Sequence, residues 1–189
     1  IEDIGIMTSI PNIAVFEVCD ACQARRLLDY SLEFNGPMYI RSTVEPTEDI
    51  YDDNIKVCSG GSVLITEGDD GAILCSGVTV QYAIEASKII KEESGQNIRV
   101  VDMYSIKPID RNAVIEASKT GRIVVVQDHN TFGGLGSAVC KVLAEESAAV
   151  KLKIMGIPDG FVAMAHAPYL YEKFGLNAKG IKQSVLELG

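Results

Sequence analysis

The sequence predicts an α/β protein: a mainly parallel, mixed sheet with helices on both faces, preceded by the tail of another α/β unit. Three observations carry this. From residue 72 onward, short apolar runs alternate with stretches of helical period. The runs are apolar almost throughout, as strands covered on both faces must be. Capping residues and glycines fall at the junctions between them.

The elements follow in chain order. Residues 2–9 read as a short helix stopped before Pro11, and "IAVFEV" (13–18) as a strand. A helix over 20–34 follows, with Ala24, Leu27, Leu28, Ser31 and Leu32 turned inward, and then the strand "MYIR" (38–41). "STVEPTEDIYDDN" (42–54) is acidic, carries a proline and lacks periodicity, so it reads as a linker. "AILCS" (72–76) is a buried strand, and the helix over 79–95 places Val80, Ala83, Ile84, Ser87 and Ile90 on one face. Next come a strand over 98–104, a helix over 110–121 capped by Asp110 and ended by Gly121, and a strand over 122–128. A helix over 134–146, a strand over 150–157, and helices near 169–174 and 178–188 close the chain.

Composition narrows the function. The chain has 189 residues, 47% of them apolar, enough for a sizeable core. No apolar run approaches the ~20 residues of a membrane span, so no membrane partner is expected. A net charge of −9 disfavours a nucleic-acid surface. Five cysteines, an odd number, sit mostly in apolar runs, which suits free thiols in a reducing cytoplasm.

Several stretches invite a chemical reading. "HNTFGGLGSAVCKVL" (129–143) follows a strand and opens a helix, with Asp159 near where a ribose-binding acid would stand. Val139, however, takes the place of the third small residue, so close backbone packing is favoured over nucleotide binding. The helix starts at Gly77 and Thr79, and at Gly134 and Gly136, are candidate anion sites. "CDAC" (19–22) suggests redox or metal chemistry, but Asp20 opposes a thiolate and no second pair completes a zinc site. His129, beside Gln127 and Asp128, lies at a strand end where ligands often bind, although no nucleophile accompanies it. His166 reads as a surface or packing residue. Glu45, Glu48, Asp49, Asp52 and Asp53 read as a solvated linker rather than a cation site.

Taken together, "EDIGIMTSIPNIAVFEVCDACQA", "GPMYIR", "SIKPID", "VVVQDHNTFGGLGSAV" and "GIPDGF…YEKFGLNAKGI" resemble, in order and spacing, the C-terminal part of the transketolase family of thiamine diphosphate enzymes. The resemblance implies that 1–41 is the last piece of a pyrimidine-binding domain, 42–62 a linker, and 63–189 the family's C-terminal domain, with one antiparallel strand. It implies an enzyme that moves a two-carbon ketol unit between sugar phosphates, as in the pentose phosphate pathway, using thiamine diphosphate and Mg2+ in the complete protein.

The family's cofactor-activating glutamate and proton-handling histidines lie upstream of the stretch matching Ile1. No catalytic residue and no bound cofactor are therefore expected in this chain alone. A homodimer and an N-terminal thiamine-binding domain or subunit are the expected partners. Arg41 is the candidate substrate-phosphate contact, whereas Val44 stands where the family commonly has the arginine that makes this contact. The alternatives are a part of 1-deoxyxylulose-5-phosphate synthase and a non-catalytic dimerisation or anion-binding regulatory module.

Overall fold

The computed structural model describes residues 1–44 and 46–189. The elements run α1 (Asp3–Ser9), β1 (Ala14–Glu17), α2 (Ala21–Glu33), β2 (Met38–Arg41), β3 (Val63–Thr66), β4 (Ala72–Cys75), α3 (Thr79–Ser94), β5 (Arg99–Asp102), β6 (Ser105–Lys107), α4 (Arg111–Ser118), β7 (Arg122–Asn130), α5 (Leu135–Glu145), β8 (Lys151–Ile157), α6 (Ala167–Phe174) and α7 (Ala178–Glu187).

Five strands form one sheet in the order β3-β5-β4-β7-β8. β5, β4, β7 and β8 are parallel, and β3 lies antiparallel at the edge. β4 is buried along its whole length, which explains its unbroken apolar sequence. One face packs on α3 and α7 through Val80, Ile90, Ile181 and Val185, and the other on α4 and α5 through Val114, Val139 and Val142. The Asp110 side chain caps α4 by accepting from the Ala113 N–H, and Gly121, at φ +79°, turns the chain into β7.

A second sheet has the order β2-β1-β6, with β1 parallel to β2 and antiparallel to β6. The strand expected over 98–104 is shorter than that, and a further strand that was not expected follows it. β5 ends at Asp102 in the large sheet, and after Met103 and Tyr104 the chain enters the small sheet as β6 at Ser105. The Glu17 N–H donating to the Tyr104 carbonyl (2.9 Å) joins the two sheets at this corner.

The inward face of α2 differs from the expected one. Cys22, Gln23 and Leu27 are buried, but Leu28 is 58% and Leu32 87% exposed. Three short strands give this helix a narrow floor, so the stripe one position around from Leu27 faces outward. Residues 46–62 form no helix or strand and fold back along the sheet ends, where the Asp20 carboxylate accepts from the N–H groups of Ile50 and Tyr51.

Candidate functional site

The parallel strands β4, β5 and β7 deliver their C-terminal ends to one edge, where β1 also ends, and the buried polar residues gather there. Glu17 is the hub. Its Oε1 accepts from Arg41 Nη1 (2.5 Å), and its Oε2 accepts from Ser76 Oγ (2.6 Å) and Gln127 Nε2 (2.7 Å). Gln127 Oε1 then accepts from the Leu135 N–H (2.8 Å), serving a donor at the start of α5 that has no partner within the helix.

Arg41, the residue expected to meet a substrate phosphate, is committed within this network. Its Nη1 also donates to the Asp128 carbonyl (2.7 Å), and its Nε lies 3.2 Å from Asp3 Oδ2. Burial alone would lower its pKa, but the Glu17 and Asp3 carboxylates outweigh this and hold it above the usual guanidinium range. Asp3 is lowered in turn: burial opposes ionisation, yet the Tyr39 hydroxyl and Arg41 prevail. Two carboxylates thus already match the Arg41 charge. Val44, three residues on, is fully exposed.

The candidate anion site at Gly77 and Thr79 is filled from within. Gly77 has φ +58°, and a Cβ there would lie 2.7 Å from the Glu17 carboxyl carbon. The chain's own carboxylate thus occupies the start of α3. Thr79 Oγ1 donates to the Ser76 carbonyl (2.8 Å) and is 3.1 Å from the Val126 carbonyl, so its hydroxyl is taken up by backbone.

The second candidate, at Gly134 and Gly136, is likewise closed by protein. A Cβ on Gly134 would collide with Gln127 Oε1, and one on Gly136 would sit 2.6 Å from Ile154 Cγ2 of β8. Gly133, at φ +74°, lets α1 approach so closely that a Cβ would fall 2.8 Å from Gly5 Cα. These glycines serve close packing of α1, α5 and β8.

His129 is buried at the same contact. Its Nε2 accepts from the Gly5 N–H (3.1 Å), so Nδ1 carries the proton and donates to the Asn130 carbonyl (2.7 Å). Nε2 thus holds α1, while Nδ1 is taken up by the adjacent backbone of β7. His166 is exposed at the start of α6, and Asp159 is exposed beside Glu2, Ile6 and Phe132. In "CDAC", Cys19 lies 3.7 Å from Asp102 Oδ2 and Cys22 3.5 Å from Asp53 Oδ1; burial and these carboxylates push both thiols upward, away from thiolate character. Glu45 lies outside the described residues. Asp53 pairs with Arg25 (2.7 Å), and among the described residues no three His, Cys, Asp or Glu side chains could hold a metal ion.

A second polar centre surrounds Asp102, which is fully buried at the end of β5. Its Oδ2 accepts from Gln23 Nε2 (2.6 Å) and the Tyr51 hydroxyl (3.0 Å), while Oδ1 has no hydrogen-bond partner. Desolvation raises its pKa to about 7 against the lowering by those donors. Sequence reasoning misses Glu17, Ser76 and Asp102. The available signal is a polar residue interrupting an apolar run at a strand end, as in "AVFEV" and "RVVDM".

Residues 60–181 match the family described as Transketolase, C-terminal domain. An apulose-4-phosphate transketolase subunit from Phocaeicola vulgatus is 34% identical over 189 residues, covering 99% of this chain and 60% of that protein. The 6-deoxy-6-sulfo-D-fructose transketolase subunit SqwH of a Clostridium species is 37% identical, covering 99% of this chain and 58% of that protein. A solved structure described as a split gene transketolase, inactive beta4 tetramer, superposes with a TM-score of 0.92 at 35% identity, covering 100% of this chain and 61% of that one. The chain thus spans about three fifths of the length of these relatives.

Proposed function

The chain belongs to the transketolase C-terminal domain family, and from that premise we propose that it is the C-terminal part of a transketolase, completed by an N-terminal thiamine-binding domain or subunit. The complete enzyme would transfer a two-carbon ketol unit between sugar phosphates, as a homodimer of such assemblies. The observation that carries this reading is the match of 99% of the chain to an apulose-4-phosphate transketolase subunit.

The residues present do not make a cradle for thiamine diphosphate and Mg2+. Glu17 fills the turn at Gly77, Gln127 fills the turn at Gly134, and no metal-binding cluster is found among the described residues. We assign the cofactor to the partner domain or subunit and no chemical step to this chain. Its contribution is the buried network that joins α1, β1, β2 and the ends of β4 and β7 into one rigid edge. Arg41 acts there as a positioning residue, fixing the end of β2 and the segment leading to Val44.

The test is reconstitution of the chain with its N-terminal partner, followed by assay with ketose phosphate donors and aldose phosphate acceptors. Ketol transfer supports the proposal. Condensation of pyruvate with glyceraldehyde phosphate would instead identify a deoxyxylulose-phosphate synthase. Absence of both activities in a stable complex would favour a non-catalytic module.

A further inference from the structure

The segment over residues 46–57 is a strap with two pins at its centre. Asp20 holds its backbone, accepting from Ile50 N (2.9 Å) and Tyr51 N (2.8 Å). Asp102 holds its side chain, accepting the Tyr51 hydroxyl. Further along, Arg25 grips the Asp53 carboxylate and Arg26 its carbonyl, which anchors the strap beyond the pins.

The two pins differ in what they can tolerate. Asp20 engages the Gln23 N–H through Oδ1 (2.7 Å) and the two strap amides through Oδ2, so both its oxygens are served. Asp102 has one unserved oxygen at zero exposure. A proton on Oδ1 breaks none of the contacts to Oδ2; it leaves an O–H without an acceptor, a smaller cost than a buried charge without a cation. Ionised, it would attract the Gln23 and Tyr51 donors more strongly, but desolvation of a charge with no cation outweighs them, an arrangement that demands water.

The groups facing Asp102 supply no cation. Glu17 approaches from β1 and repels a second negative charge. Cys19 and Gln23 face it from the β1–α2 junction and α2, and Cys75 from β4; Tyr104 follows β5, and Tyr51 belongs to the strap. Of the residues bonded to its carboxyl, Cys19 and Gln23 are buried and Tyr51 is the partly exposed one. The cover that yields when water must enter is therefore the strap. A hollow of about 400 Å³ beside Cys19, Asp20 and Thr47 already brings solvent to its edge.

We propose that Asp102 is a proton-operated latch: protonated, it holds the strap at Tyr51 against the sheet ends, and ionised, it releases it. The device adjusts the segment joining β2 to β3 and does not depend on the reaction assigned to the complete enzyme. Raising pH through neutrality opens it, and lowering pH closes it.

Hydrogen exchange of a peptide spanning 46–57 in the full chain, normalised at each pH to the unprotected rate, tests the latch. Wild type is expected to lose protection roughly tenfold between pH 6 and pH 8. Asp102→Asn, neutral at both values, is expected to stay protected across the range. Tyr51→Phe is expected to exchange at pH 6 about as fast as wild type at pH 8. A flat wild-type profile, or the same pH dependence in Asp102→Asn, would overturn the proposal. Should Asp102→Asn fail to fold, wild-type protection at pH 6 in Tyr51→Phe would overturn it equally, by showing that Asp20 alone holds the strap.

Discussion

Glu17 and Asp102 are both buried acids at strand ends, yet their surroundings differ in kind. Glu17 is met by a guanidinium, a hydroxyl and an amide, which use both its oxygens. Asp102 is met by an amide, a phenol and a thiol, all on Oδ2, and Oδ1 is left without a partner. The first arrangement suits a fixed charge that organises five elements. The second suits a proton that comes and goes. Burial alone therefore does not decide the role of an acid; the charge of its partners and the way they divide between its two oxygens do.

The sharpest way to break this contrast is Arg41→Met. It strands the Glu17 carboxylate without its cation, and removing one partner of a buried pair costs about 3–5 kcal/mol. Chemical denaturation should show this loss, and adding Glu17→Gln should restore much of it. If Arg41→Met is nearly neutral, Glu17 is not the ionic hub described.

A somewhat smaller effect belongs to Asp102. Its folded-state pKa, about 7, lies above its ordinary value of 3.8. Over that window the folded chain keeps a proton that the unfolded chain gives up. Its contribution is complete below about pH 4 and is lost as pH rises through about 7, at most about 4 kcal/mol. Comparison of denaturation midpoints for wild type and Asp102→Asn from pH 5 to 8 isolates this slope. Parallel curves would place the titrating group elsewhere.

The glycine turn can be probed at Gly136, where an added Cβ meets Ile154 at 2.6 Å. Gly136→Ala should cost about 1–3 kcal/mol through overpacking, despite the better helix propensity of alanine. Gly136→Ala with Ile154→Ala, which removes the Cγ2 methyl in the way, should cost less than the sum of the two single changes, as read from thermal melts. The smallest expected change is Asp110→Ala, about 1 kcal/mol for a lost helix cap. This residue also accepts a bond from Ser62, so a Ser62→Ala control separates the two.

Most of the fold was legible because parallel buried strands must be apolar throughout, and "AILC" and "RIVVV" advertise themselves. The family resemblance implies an antiparallel strand without locating it, and β3 escaped notice because an edge strand with Leu64 exposed has no distinctive pattern. The three residues of β6 were too short to show that the chain changes sheets there. The polar network was harder still. Glu17 and Gln127 are 110 residues apart in sequence and become partners only once β1 meets the end of β7. The glycines were visible as unusual from the start, but what they admit, Glu17 at one turn and α1 and β8 at the other, required the packed structure.

The most direct test of the central claim is calorimetric titration of thiamine diphosphate with Mg2+ into this 189-residue chain alone and into its complex with the N-terminal partner. Tight, saturable binding by the complex and none by the chain alone is the expected result. Tight binding by the isolated chain would contradict the assignment of the cofactor to the partner.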